Sequence, residues 1–368
     1  MTRLATIGIF DLDPDDLRSW ATERGLPKYF GDQLLRWVYQ RGITDPSRMT
    51  DLSKLGRAKI EDEMRFGDAV PIADHLASDG TRKLLVGWPD EPSAKPEAAD
   101  PLAVLPDVPS KQTECVMIPT ADRRTACISS QVGCPVGCRF CASGLGGLEG
   151  NLTRGRIVEQ AWRLGRLPGV GRITNIVFMG MGEPLANYKA VTGAIRTLNA
   201  PWGLGISARR ITVSTVGVPA AIRRFANFDV PVTLALSLHA PNDDLRREII
   251  PWAEYSTVPE LLDACREYFD RSGREITLEY ILLGGLNDGL AEAKQLAVHA
   301  KKLRCNINLI RYNEVEGLPF RRPDGEDVHR FQQELRRQGV NVHIRASRGR
   351  DIAAACGQLR HEQRRRPA

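Results

Sequence analysis

Gly133-Cys134-Pro135-Val136-Gly137-Cys138-Arg139-Phe140-Cys141 sets three thiols at C-x3-C-x2-C spacing within eight positions. Three thiolates at that spacing can converge on one point from a tight loop, with Gly137 giving the backbone its freedom. A zinc knuckle needs four ligands at matching short spacing, and neither Cys127 nor any nearby His supplies the fourth. Three cysteines on a four-iron cluster instead leave one iron open to bind something else. Free cysteines are often simply interior, but the glycine and proline between these three mark a loop.

Outward from this loop, from residue 126 on, strands alternate with helices. Apolar β-rich runs at 126–131, 175–179, 210–215, 231–238, 275–283 and 306–312 read as strands, and 340–346 as a further one. Helical patterns lie between them at 156–166, 188–199, 219–225, 257–272 and 290–303. Such alternation makes right-handed crossovers and a parallel sheet. Six units are fewer than an eight-stranded barrel requires, so the expected fold is α/β, a partial (β/α)6 barrel.

In barrels of this kind the chemistry gathers where strands end, and polar motifs fall there. They are Met179-Gly180-Met181-Gly182-Glu183-Pro184, Val213-Ser214-Thr215-Val216-Gly217, Ala235-Leu236-Ser237-Leu238-His239-Ala240 and Arg311-Tyr312-Asn313-Glu314. Taken singly each has a plain structural reading as a turn, a cap or a satisfied core group. Their placement around one mouth is the signal. After the last strand comes Cys356, in a polar loop flanked by Gly349 and Gly357, and Cys127 lies on the first strand.

Residues 1–75 read as a small helical accessory domain. Asp13-Pro14 is a cap and first-turn pair opening a helix that stops near Gly25. Two more helices are expected at 31–42 and 52–64. The module serves either to dock RNA or as a packing cap. Residues 76–125 read as a connector in which strand 81–88 pairs with strand 115–119 around a flexible Pro/Ala-rich insertion, 89–112. The barrel would occupy 126–350, and 351–368 the Cys356 loop and a basic tail ending Arg364-Arg365-Arg366.

At 368 residues the chain has room for one large domain and a smaller one, and 42% apolar with 26% charged residues is ordinary globular composition. No apolar run approaches the roughly 20 residues that span a bilayer. The start Met1-Thr2-Arg3-Leu4 lacks the apolar core of a secretion signal. Eight cysteines without such a signal point to a reducing cytoplasm, hence to clusters or catalysis rather than structural disulfides. A net charge of +6 permits a polyanionic partner, and Arg345-Ala346-Ser347-Arg348-Gly349-Arg350 is one stretch that can sit on phosphates.

The cysteine loop, with an aromatic residue before its last Cys, resembles the signature of radical S-adenosylmethionine (SAM) enzymes. Read on through Cys141-Ala142-Ser143-Gly144 and Asn151-Leu152-Thr153, the chain resembles the RlmN/Cfr family of RNA adenosine methyltransferases. The resemblance runs from the helix after Lys28 to Gly357-Gln358-Leu359. It implies a [4Fe-4S] cluster on Cys134, Cys138 and Cys141, with SAM on its free iron. Gly182 and Glu183 would meet the methionine amino end of SAM. Ser214, Ser237, Leu238, His239 and Asn313 would hold its ribose, carboxylate and adenine. Cys356 would accept a methyl group from one SAM. A radical made from a second SAM would activate that carbon to add to adenine, an electron-poor centre that cannot attack a sulfonium itself. Cys127 would release the crosslink by forming a disulfide with Cys356, and Glu114 would be the proton acceptor. Cys115, Cys265 and Cys305 lack such a context, and Cys265 and Cys305 read as core.

Two departures from the family pattern stand out: Gly150 precedes Asn151 where Arg is usual, and the 89–112 insertion is long. Within the family, the full-length N-terminal region and Glu183-Pro184-Leu185 lean towards carbon 2 of adenosine, in 23S rRNA and in tRNA beside the anticodon. The Cfr-like outcome is carbon 8. The resemblance also implies an electron donor such as flavodoxin or ferredoxin, and a monomer is the default. A competing reading from another class is a non-enzymatic RNA-binding protein with zinc on the cysteines. A radical SAM enzyme acting on a protein or small molecule is a third.

Overall fold

Helix starts are written in capping side chains. In the computed structural model, which describes residues 7–89 and 111–359, strand β1 (Ile7–Gly8) leads to helix α1 (Pro14–Glu23). Asp13 accepts the N–H groups of Asp15 and Asp16 there, and Asp16 closes a capping box. Helix α2 (Tyr29–Leu35) follows, then a π-helical turn at Arg36–Gln40, where one longer helix was expected. The turn frees carbonyls that the barrel takes up: Trp162 Nε1 and Arg166 Nη2 donate to Val38 O at 2.8 and 3.1 Å. Helix α3 (Lys54–Glu63) is capped by Ser53, and strand β2 (Met64–Arg65) pairs parallel with β1.

The accessory module ends sooner than expected. Strand β3 (Val70–Leu76) belongs to the main sheet, paired antiparallel with β4 (Arg82–Trp88), which pairs with β5 (Lys111–Pro119). The expected 81–88 strand and its partner are therefore sheet members rather than a separate connector. All but the ends of the 89–112 insertion, and the Arg-rich tail, lie outside the described residues.

Beyond β5 the expected first strand divides. β6 (Arg124–Cys127) stays in the sheet, while β7 (Gln131–Gly133) leaves it to pair with β8 (Leu148–Asn151). Ser129 causes the break: its N–H donates to Gln160 Oε1 at 2.8 Å, its hydroxyl to Glu114 O at 2.6 Å, and its Oγ accepts Met181 N–H at 2.8 Å. Helix α4 (Arg154–Leu164) then precedes β9 (Asn175–Phe178), α5 (Tyr188–Asn199), β10 (Ile211–Thr215), α6 (Pro219–Phe225) and β11 (Thr233–Ser237). A short α7 (Asp243–Ile249), not expected from the sequence, and α8 (Val258–Ser272) lead to β12 (Ile276–Leu282). Next come α9 (Leu290–Ala300), β13 (Cys305–Arg311), a second unexpected helix α10 (Gly325–Arg337) and β14 (Val342–Arg345).

Among the described residues one ten-stranded sheet runs β14-β13-β12-β11-β10-β9-β6-β5-β4-β3. β6 and β9 to β14 are parallel, the six expected strands and the further one at 340–346. The sheet curls. Arg345 Nη1, at the end of β14, touches Met179 Sδ beyond β9 at 3.4 Å, although a flat sheet would hold them roughly 24 Å apart, at about 4.8 Å per strand. This curling makes the open, partial barrel. Its core is continuous with that of the N-terminal module through Phe10, Tyr39, Trp162 and Trp202. Among the described residues no helix is long and apolar enough to cross a membrane.

Candidate active site

At the C-terminal ends of the parallel strands lies a cavity of about 160 Å³, lined by Cys134, Cys138, Cys141, Gly182, Glu183, Ser214, Ser237, His239 and Cys356. Nine candidates separated in sequence are thus brought together. The cysteine loop is held by its own backbone: Cys134 N–H donates to Gly147 O at 2.9 Å and Arg139 N–H to Ile249 O at 3.0 Å. Gly133, at φ 72°, has room for no side chain, since a Cβ would lie 2.0 Å from Gly147 O. Val136 and Phe140 pack into an apolar cluster with Ile249, Ile250 and Ile281.

Burial pushes all three thiols up, Cys134 to about 12; Cys134 is raised further by Cys141, Cys138 by Cys141 and Cys134, and Cys141 by Cys356. Opposing this, backbone N–H groups of Val136 and Gly137 point to Cys134, and those of Ser143 and Gly144 to Cys141, while Arg246 lies close to Cys138. A dry set of sulfurs that repel one another yet face hydrogen-bond donors suits a cationic iron–sulfur cluster, which needs them as thiolates. Among the described residues no three Cys, His, Asp or Glu side chains converge on a point that would hold a single ion.

Around the sulfurs, backbone shape decides access. Gly182 has φ 102°, and a Cβ would lie 2.7 Å from both Gln131 Cβ and Ser130 Oγ. Only glycine fits there. Glu183 is buried with its carboxylate raised, chiefly by desolvation. One oxygen accepts Leu185 N–H at 3.0 Å and the other Val216 N–H at 2.8 Å, so the residue braces the β9 loop against the β10 loop. Ser214 and Ser237 hydroxyls lie 3.1 Å apart.

His239 adopts φ 61°, rare for a non-glycine residue. Its Nδ1 accepts Ile281 N–H at 3.0 Å, which puts the ring proton on Nε2. Burial, and then the charge of Arg246, push its pKa down to about 3. The ring stands edge-on to Phe140 at 5.2 Å.

Leu238 is different. Its side chain is wholly buried in the main core, outside the cavity lining, and its carbonyl accepts Arg246 Nε at 3.2 Å. Asn313 also lies outside the lining. It clamps the last loop instead, donating to Cys356 O at 3.4 Å and accepting Arg322 Nη1 at 3.1 Å.

Cys356 is carried by a segment folded over the cysteine loop: Ala142 N–H donates to Gly357 O at 2.8 Å and Ser143 Oγ to Leu359 O at 2.7 Å. Cys127, ending β6, is buried with Met181, Ala354 and Leu359. Its thiol is pushed up to about 12, first by burial and then by Cys356, with Arg345 pulling the other way. Both cysteines are free thiols. Glu114 lies in β5 behind this segment, 3% exposed and ion-paired with Lys83 at 2.7 Å.

Several residues at the site were not singled out from sequence. Arg345, which by sequence belongs to a run suited to phosphates, points inward, to Met179 and, at 3.8 Å, to Glu279 Oε2. Arg348 of the same run faces Asp79 at 3.8 Å. Glu279 lines the cavity from β12. A charged residue in the middle of an otherwise apolar strand, β12, is the signal sequence offers for Glu279, whereas nothing local marks Lys83.

With this geometry, comparison with known proteins is direct. Residues 128–297 match the Radical SAM superfamily, and residues 7–65 the ribosomal RNA large subunit methyltransferase N-terminal domain. A Rhodopirellula baltica protein named "Probable dual-specificity RNA methyltransferase RlmN" is 43% identical over 350 residues, 95% of this chain and 89% of its own. The dual-specificity RNA methyltransferase RlmN of Bdellovibrio bacteriovorus is 40% identical over 96% of this chain and 84% of its own. The crystal structure of a radical SAM methyltransferase from Sphaerobacter thermophilus superposes with a TM-score of 0.88, at 40% identity, over 96% of this chain and 99% of that one. The cysteine loop, the curled sheet above it and the N-terminal module together place this chain in the RlmN family of radical SAM RNA methyltransferases.

Proposed function

We propose that the protein methylates carbon 2 of an adenosine in 23S rRNA and in tRNA beside the anticodon, with Cys356 carrying the methyl carbon and Cys127 releasing the product. The observation that carries the reading is the seat of Cys356: its segment is hydrogen-bonded to Ala142 and Ser143, directly after the cysteine loop, and it lines the same cavity. A sulfur in that seat would face both a methyl donor bound at the loop and a base entering the mouth.

Cys134, Cys138 and Cys141 would hold the cluster, and the Gly182–Glu183 turn, Ser214, Ser237 and His239 would surround SAM. When bound, these groups supply one-electron cleavage and carbon-radical chemistry that no side chain provides. The chain's own residues do the rest. His239, neutral with its proton on Nε2, offers a donor without adding a positive charge beside a sulfonium. Glu114 would take a proton from the adenine adduct. Cys127 would then attack the Cys356 sulfur: an S–S bond forms, the S–C bond breaks, and its electron pair goes to the methylene carbon, which takes up a proton to become the methyl group. The odd electron left on the base would be taken back by the bound cluster. That attack needs a thiolate, and Arg345 is the cation beside both sulfurs.

The test is mass spectrometry of nucleosides from 23S rRNA and tRNA treated with the reconstituted enzyme, SAM and a reductant. Appearance of 2-methyladenosine in both RNAs is expected. 8-Methyladenosine would select the carbon 8 reading, and no methylated adenosine would overturn both.

A further inference from the structure

Lysine is almost never fully buried unless paired, and Lys83 on β4 is 3% exposed. Its Nζ lies 2.7 Å from Glu114 Oε1 and 3.3 Å from the carbonyl oxygen of Ala353. Lys83 pairs with Val116 across the ladder, and Glu114 with Leu85, so the two are diagonal neighbours on one face of the sheet. Ala353 belongs to the Cys356 segment and has φ 50°, a conformation a non-glycine residue holds only when its surroundings enforce it.

The rest of the β3–β4 hairpin grips the same segment. Gly349 N–H donates to Asp79 Oδ2 at 3.1 Å, and Ser78 N–H to Asp351 Oδ2 at 2.8 Å. A Cβ on Gly349 would lie 2.9 Å from Thr81 Cγ2. One hairpin, outside the parallel barrel, therefore touches both the carboxylate assigned as proton acceptor and the loop bearing the methyl-carrying sulfur.

We propose that Lys83 is a positioning residue that joins these two parts: it fixes Glu114 by the ion pair and latches the 349–354 turn through Ala353, so that Cys356 and Glu114 are presented together. This rests on the reading of Glu114 and Cys356 given above. Lys83 touches no reacting atom; it acts through Glu114 and the turn. Removing its charge takes the 2.7 Å ion pair from a buried carboxylate and frees one end of the loop.

The test compares Lys83→Met, Lys83→Arg, Glu114→Gln and the Lys83→Met/Glu114→Gln double variant as cluster-loaded enzymes. Two readouts are taken: RNA methylation, and hydrogen exchange of backbone amides 349–358. Lys83→Met is expected to lower kcat by at least about tenfold, within the range a general base supplies, and to speed exchange in the turn about fivefold. Lys83→Arg is expected to restore most of both. Glu114→Gln is expected to lose methylation while the turn stays protected, because Lys83 still reaches Ala353. The double variant is expected to be no slower than Glu114→Gln and better folded than Lys83→Met. Unchanged exchange in Lys83→Met, or losses in the double variant that simply add, would overturn the proposal. Full methylation by Glu114→Gln would remove the proton-acceptor reading instead, leaving the latch to be judged by exchange alone.

Discussion

The cysteine loop and the Cys356 segment meet at one cavity but are held in different ways. The loop is braced mainly within residues 133–147, Cys134 to Gly147 and Cys141 to Cys138, with Gly144 packed so closely that a Cβ would lie 2.9 Å from Gly137 Cα, and by one bond to α7, Arg139 to Ile249. The Cys356 segment is held at scattered points by other elements: Lys83 on Ala353, Ala142 on Gly357, Asn313 on Cys356, Ser143 on Leu359. The difference matches the tasks proposed for them. A cluster seat must not move, whereas a sulfur that meets both a methyl donor and an RNA base is better tethered than embedded, since few-contact segments open at low cost.

That contrast can be broken most severely at the metal seat. Cys138→Ser should remove the iron–sulfur chromophore and all reductive SAM cleavage together; a variant that keeps its absorbance near 400 nm would show that Cys138 is not a ligand. Cys356→Ala should abolish RNA methylation yet keep iron and SAM cleavage, and loss of iron in that variant would erase the distinction between the two regions.

Glycine substitutions sharpen it further. Gly133→Ala forces a Cβ against Gly147 O at 2.0 Å at φ 72°, and should cost about 3 kcal/mol or more with poor cluster uptake. Gly357→Ala, at φ 82° with its nearest neighbour 3.7 Å away, should cost only about 1–2 kcal/mol, the backbone strain alone. Equal losses in thermal melts would refute the assignment of one region as packed and the other as tethered. Ser143→Ala, which removes the hydroxyl donated to Leu359 O, should loosen exchange at 357–359 by about 1 kcal/mol with the cluster retained.

The smallest effect is a pH dependence at His239, which packs on the loop through Phe140. Its pKa is lowered to about 3 by burial, against about 6.5 unfolded. As pH falls below 6.5 the unfolded chain takes the proton first, so stability declines. From pH 7 to 6 the protein should lose about 0.7 kcal/mol that His239→Asn does not lose, measured by urea unfolding of the apoprotein. A wild-type curve parallel to the variant's would exclude a neutral buried imidazole.

Much of this site was legible in advance where the signal is local. Cysteine spacing and the turn glycines of 179–184 state a backbone requirement within a few residues, and helices such as 188–199 and 219–225 have the bounds their pattern suggests. The structure differs where a side chain outranks pattern. Ser129 ends a strand that apolar content would have continued. Leu238, just past the end of β11 and between two cavity residues, turns into the core on the face opposite Ser237. Helices α7 and α10 are not marked by the sequence pattern because loop-like residues frame them. Arg345 reads as a phosphate-facing charge, yet it points into the cavity, whereas Arg348 stays at the surface, paired with Asp79.

By itself the sequence determined the cysteine loop, the strand–helix alternation and the parallel sheet, since each follows from spacing, periodicity and the handedness of crossovers. Only the tertiary structure decided what faces what. Lys83 meets Ala353 across 270 positions and Arg345 meets Met179 across 166. Such pairings depend on how far the sheet curls and which strand edge a returning segment covers, which no local pattern encodes because packing energy is collected only after the chain has closed on itself.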